Sequence, residues 1–197
     1  MLIDFTPVAN NEMKILEFSR RFTLADLKAG TNASIDHLIS LIGDADDAQI
    51  AFLPHDPNAH DPDAVPGEEQ IGWSIGHLVA HVTASSEEWA AYGSILARGI
   101  VYPAEPRLRY ETPWREMDTR VKTLQRLEES RRIRLGYLDA MPDVPRLDVF
   151  RQLSPRYVER FGEMNAFACV LFGMFHEWGH YDQIADAAAQ ARAAIPR

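Results

Sequence analysis

Apolar residues in this chain recur at helical spacing, and no segment alternates convincingly with the period of two that a half-buried strand requires. The clearest stripe is Leu24, Leu27, Thr31, Ile35, Leu38 and Ile42, stepping by three and four residues along one helical face. Thr23 stands just before it with Asp26 three residues on, a short-armed capping box, and Gly43-Asp44 marks its end. A second helix is expected to open at Ser74 and run to about Arg98-Gly99, with Ile75, Leu78, Val79, Val82, Trp89 and Ile95 on its apolar side. Thr112-Pro113 supplies an N-cap and a first-turn proline for a third helix ending near Met141-Pro142. Its expected inward positions are Trp114, Val121, Leu124, Leu127, Leu135 and Leu138. Arg120, Lys122, Arg126, Glu128, Glu129, Arg131, Arg132 and Arg134 are expected on its outer face. A fourth helix is expected from about Asn165 to Ala194, and the fold class is all-α.

The connections are long. Residues 54–70 combine prolines, a glycine and a cluster of Asp and Asn, the chemistry of an extended loop. This loop runs directly into the first histidine motif, so a lid or pocket wall is expected. Residues 142–164 hold three prolines and no clear period, and read as a connection with at most a short helical turn. Residues 1–22 are expected to form an N-terminal arm or a short helix, with Met13, Leu16 and Phe18, on the outside of a domain spanning 23–197.

Charge and cysteine usage limit the classes of function. A net charge of −9 over 197 residues argues against a nucleic-acid footprint and against adsorption to anionic lipid. The single cysteine, Cys169, cannot form an intrachain disulfide. The opening MLIDFTPVANNEMK has neither a basic n-region nor an apolar h-region, and no stretch reaches about 18 apolar residues. A cytoplasmic address and no membrane partner are therefore expected.

Two histidine pairs carry the chemistry. His77 and His81 lie in WSIGHLVAH, and His176 and His180 in HEWGH. Residues four apart on a helix share a face, so either pair can aim two imidazoles at one point. A third imidazole from a facing helix completes three protein ligands and leaves a position open for water or substrate, the arrangement of a catalytic site. Imidazole suits a divalent zinc or nickel ion, with iron and copper as further options. HEWGH also fits H-E-x-x-H, the zinc-hydrolase pattern with Glu177 as general base. That pattern needs a further ligand downstream, and after His180 the chain holds no His or Glu. Glu177 is expected on the flank of its helix, about 100° from His176. His37, His55 and His60 have no partner at helical spacing, and Cys169 is expected to be a small buried hydrophobe.

The run Trp-Ser-Ile-x-His-Leu-x-x-His at 73–81, with His-Glu-x-x-His-x-x-Gln-Ile at 176–184, resembles the DinB-like superfamily of metal-binding four-helix bundles. The resemblance extends from about residue 23 to 190. It implies a four-helix bundle of the DinB/YfiT-like type, with long loops between helices 1 and 2 and between helices 3 and 4, often dimeric. Counting eight residues from Trp73, it implies His81 as the first metal ligand, with His176 and His180 as the others. His77 then becomes the surplus histidine, one turn before His81, either a hydrogen-bond donor behind the ligands or an alternative ligand, and Gln183 matches a Gln that orients a ligand or a bound water.

The resemblance further implies an enzyme in which a divalent metal activates a low-molecular-weight thiol for transfer to, or isomerisation of, a small-molecule substrate. Arg107, Arg109 and Arg115 are candidates to meet a carboxylate-bearing cosubstrate if their connector folds over the site. The alternative is a non-catalytic metal-binding stress-response protein, and a zinc hydrolase is the third reading. A homodimer is expected, and DNA contact is not.

Overall fold

The computed structural model describes residues 2–61 and 64–196, and among them every regular element is helical. In chain order these are α1 (Thr6–Ala9), α2 (Ile15–Ser19), α3 (Leu24–Ile42), α4 (Asp47–Ile50), α5 (Ile75–Ala97), α6 (Arg120–Asp139), α7 (Pro155–Phe161), α8 (Ala166–Gly179) and α9 (Tyr181–Ala194), with a 3₁₀ turn at Trp114–Glu116. Helix α5 packs along α8 and α6, while α3 lies against α6, α8 and α9. No helix among the described residues is long and apolar enough to cross a membrane.

Local chemistry sets the main boundaries. The Thr23 hydroxyl accepts from the Asp26 amide and the Asp26 carboxylate accepts from the Thr23 amide, so the capping box closes both ways. Ser74 and Asn165 cap α5 and α8 through their side-chain oxygens. Helix α5 is buried on nearly every face, because α6, α8, the 3₁₀ turn and the connector that follows it all cover it. It meets α8 closely where both offer small residues. The Ser86 hydroxyl donates to the Gly173 carbonyl at 3.0 Å, and a Cβ on Gly93 would stand 2.7 Å from the Ala166 carbonyl oxygen.

Four expectations need correction. The third helix does not begin at Thr112-Pro113. Only a 3₁₀ turn forms there, and α6 opens at Arg120, capped by Thr119. With that start, the buried stripe of α6 is Thr123, Leu127, Ser130, Arg134 and Leu138, and Val121 is solvent-facing. Arg134, expected outside, is buried because Glu177 of α8 meets it with Nη1···Oε1 at 2.7 Å. The last helix is also interrupted. His180, with φ −103° and ψ −2°, donates its amide to the Glu177 carbonyl three residues back, which ends α8 and starts α9.

The amino-terminal residues contribute side chains to the core. Phe5, Ile15 and Phe18 are buried, and the Phe5 and Phe18 rings meet at a tilt, 5.4 Å apart, Phe5 also meeting Phe175 at 5.7 Å. Helix α7, unforeseen beyond a short turn, is held by Lys14, whose ammonium donates to the carbonyls of Glu159 and Arg160. The lone Cys169 is fully buried, and burial pushes its thiol well above the usual range.

Candidate metal centre

Helix α5 carries His77 and His81, and the α8–α9 junction carries His176 and His180. The structure brings His81, His176 and His180 together: one ligand-type nitrogen from each lies within 4.8 Å of the others. Nε2 of His81 and Nε2 of His176 stand 3.3 Å apart. For a tetrahedral ion with bonds of about 2.0–2.1 Å, two ligand nitrogens sit about 3.3–3.4 Å from each other. The group therefore could hold a metal ion, and its donor set is the neutral imidazole that borderline divalent ions favour.

The protonation states fit that use. Burial, reinforced by the neighbouring His180 and His81, drives His176 down to about 2. Burial also lowers His180, against the opposing hydrogen bond from Gln183. Nδ1 of His180 donates to Oε1 of Gln183 at 2.8 Å, which leaves its Nε2 lone pair for the cluster. Nδ1 of His81 faces Glu111, whose Oε1 is 3.6 Å away, and Arg109, whose Nη2 is 3.2 Å away. A proton on that Nδ1 requires the Arg109 N–H groups to go elsewhere. The Glu111 carboxylate and the His81 carbonyl both stand within their reach. His176 has the least help: its Nδ1 is buried with no hydrogen-bond partner among the described residues, so packing alone aims its Nε2.

Glu111 is the residue that sequence reasoning missed. Burial would raise its carboxyl, but His81 and Arg109 outweigh that and hold it at about 2. It lies 30 residues beyond His81 on an irregular connector, where no periodicity could flag it. The connector does fold over the site. Arg151 anchors it through the carbonyls of Tyr102, Pro103 and Ala104, and Arg107 grips the buried Glu88 with two contacts at 3.0 and 2.5 Å. Arg115 is tied to Glu68 instead, and so joins the connector to the 54–70 loop.

His77 stays outside the cluster. Its imidazole lies between two indoles, 4.4 Å from Trp73 and 4.9 Å from Trp114, in near-parallel stacks. Burial takes it down to about 4, a neutral ring used as a spacer. Trp73 also meets His81 at 4.7 Å and His180 at 6.1 Å, so this stack forms one wall of the site.

Glu177 needs correction too. It does not sit on an exposed flank: it is fully buried, salt-bridged to Arg134 and 2.5 Å from the Ser34 hydroxyl, which also meets the Tyr181 phenol at 2.8 Å. Its carboxylate is engaged inside the bundle and does not line the cavity, so the geometry of a zinc-hydrolase base is absent there. His37 packs edge-on against Tyr181, while His55 and His60 lie in a shallow depression of their own.

The cluster opens into a cavity of about 1020 Å³, large for a small-molecule site. Asp61, Val65 and Glu68 of the 54–70 loop line it, as a pocket wall should.

Helices as the regular elements of the described residues, with three imidazoles converging at a solvent-connected cavity, define a protein with a candidate mononuclear metal centre. A model of the DinB superfamily matches residues 31–184, and the chain belongs to that superfamily. The resemblance read from the two motifs is borne out at that level. No curated protein and no solved structure matches the chain significantly.

Proposed function

We infer that His81, His176 and His180 hold one divalent ion, zinc or nickel, and that the protein is a metal-dependent thiol S-transferase or isomerase acting on a small molecule. The observation that supports catalysis over a structural role is access: the imidazoles line an open cavity beside polar groups, instead of being sealed in the core. When bound, such an ion lowers the pKa of a thiol and favours the thiolate nucleophile near neutral pH.

The chain's own residues supply the rest. Gln183 and Glu111 fix the rings of His180 and His81 from outside the cluster. Trp73 and Trp114, with His77 between them, make a stiff apolar wall that excludes water on one side. Arg109 stands at the cluster with its charge matched by Glu111, so the site carries no surplus cation next to the imidazoles. A homodimer is the assembly we propose, and the cytoplasm, where low-molecular-weight thiols are abundant, the place of action.

The test is a screen of zinc- and nickel-loaded protein with glutathione, bacillithiol and mycothiol against an activated aryl chloride and an epoxide. A thiol-dependent rate above the metal-free control, lost in His81→Ala, supports the reading. Absence of any such rate with every thiol, in protein that retains its metal, favours the non-catalytic metal-binding alternative.

A further inference from the structure

The cavity runs well beyond the histidine cluster, and its composition changes along the way. On α8, Phe172 precedes His176 by one turn, about 6 Å along the axis, and on α5, Trp89 follows His81 by two turns, about 12 Å. Trp89 and Phe172 meet edge-on at 4.6 Å. Phe161 of α7 reaches Phe172 at 4.9 Å, and Tyr157 of the same helix reaches it at 6.0 Å. These rings form a continuous aromatic lining, and all of them border the cavity.

Helix α7 brings charge to the same wall. Arg156 and Arg160 are one turn apart and so share a face, about 100° round the helix from the one that carries Tyr157 and Phe161, and all four border the cavity. The other arginines at this cavity are already neutralised: Arg107 by Glu88 and Arg109 by Glu111. Arg156 and Arg160 are in no ion pair among the described residues, and Arg160 only lies over the neighbouring Phe161 ring at 4.8 Å. Two uncompensated guanidiniums therefore stand at the mouth of an aromatic pocket, in a chain whose net charge is −9. Lys14 fixes the carboxyl-terminal turn of α7, so the pair is presented from an anchored helix.

We propose that this end of the cavity binds the anionic group of a small molecule with an aromatic or flat apolar body, Arg156 and Arg160 taking the anion and the Trp89–Phe172–Phe161 rings the body. Guanidiniums match carboxylate, sulfonate or phosphate oxygens through paired N–H donors, and flat rings suit an aromatic lining. The reaction end of such a ligand rests on the metal-centre reading above. The anion site does not, because it lies on a different helix and needs no ion.

Calorimetric titration with naphthalene-2-sulfonate and its neutral counterpart naphthalene-2-sulfonamide, in EDTA-treated and in zinc-loaded protein, tests this directly. The sulfonate should bind about tenfold or more tighter than the sulfonamide in both preparations, and more weakly as salt is raised. The R156Q/R160Q variant should lose most of that advantage while binding the sulfonamide as before. R20Q/R132Q, with the same change in net charge at exposed positions away from the cavity, should bind both as the unaltered protein does. Equal sulfonate affinity in R156Q/R160Q, no binding of either ligand, or sulfonate binding only when zinc is present would each overturn the proposal. Failure of the metal centre alone would leave the EDTA-treated result intact.

Discussion

Gln183 accepts a hydrogen bond from Nδ1 of His180 at 2.8 Å, one helical turn beyond the imidazole it orients. The bond pins the ring and its tautomer, leaving Nε2 facing His81 and His176. Replacing Gln183 with leucine should weaken zinc affinity by about tenfold or more without changing the number of ions bound. Competition against a chromophoric chelator measures it. Unchanged affinity would mean that packing alone holds His180.

Glu177 and Arg134 form a buried pair that ties α8 to α6 directly beside a candidate ligand. Arg134→Met leaves a carboxylate without its countercharge in the core and should cost about 3–5 kcal/mol of stability, while the double change E177Q/R134M should cost distinctly less. Urea denaturation of both variants decides it. A single variant no worse than the double one would contradict the pairing.

Gly76 opens the first turn of α5 against the loop that carries Trp114. A Cβ there would lie 2.0 Å from the Met117 carbonyl oxygen, an approach only glycine permits. Gly76→Ala should destabilise the protein by about 2 kcal/mol or more, because backbone and not a flexible side chain must move. It should also push Trp114 off His77, seen as a change in tryptophan emission. A variant with unaltered melting temperature and emission would count against this packing.

His77 predicts an acid sensitivity of the metal-free protein. Burial holds the folded imidazole at about 4 against an ordinary value of 6.5. As pH falls through this interval the unfolded chain takes up the proton first, so stability present above 6.5 declines towards 4. His77→Phe keeps a flat ring between the indoles and removes the proton site. Its melting temperature should fall by several degrees less than that of the unaltered protein between pH 6.5 and 4. Identical pH profiles would place the sensitivity elsewhere.

Much of this architecture is legible in the sequence, and what escapes has a physical pattern. The caps at Thr23, Ser74 and Asn165 and the stop at Gly43 are local events, decided by a few adjacent residues. The histidine spacing is local too: His81, picked by the tryptophan register, and the HxxxH pair His176 and His180 are the three that the fold gathers. Arg134 and Glu177 each look like surface residues alone; only their pairing across two helices makes burial tolerable. Glu111 and Arg109 sit on a connector whose path is set by Arg151 and Glu88, contacts between segments far apart in the chain. The break at His180 hides inside a strong helical pattern, since periodicity continues on both sides of it.

The metal centre itself is tested most directly by elemental analysis of protein purified without a histidine tag. The account predicts about one divalent ion per chain, and loss of that ion in each of His81→Ala, His176→Ala and His180→Ala, with His77→Ala retaining it. Circular dichroism of each variant, read alongside, separates loss of ligand from loss of fold. Full metal occupancy in a folded His81→Ala protein, or loss of the ion only in His77→Ala, would contradict it.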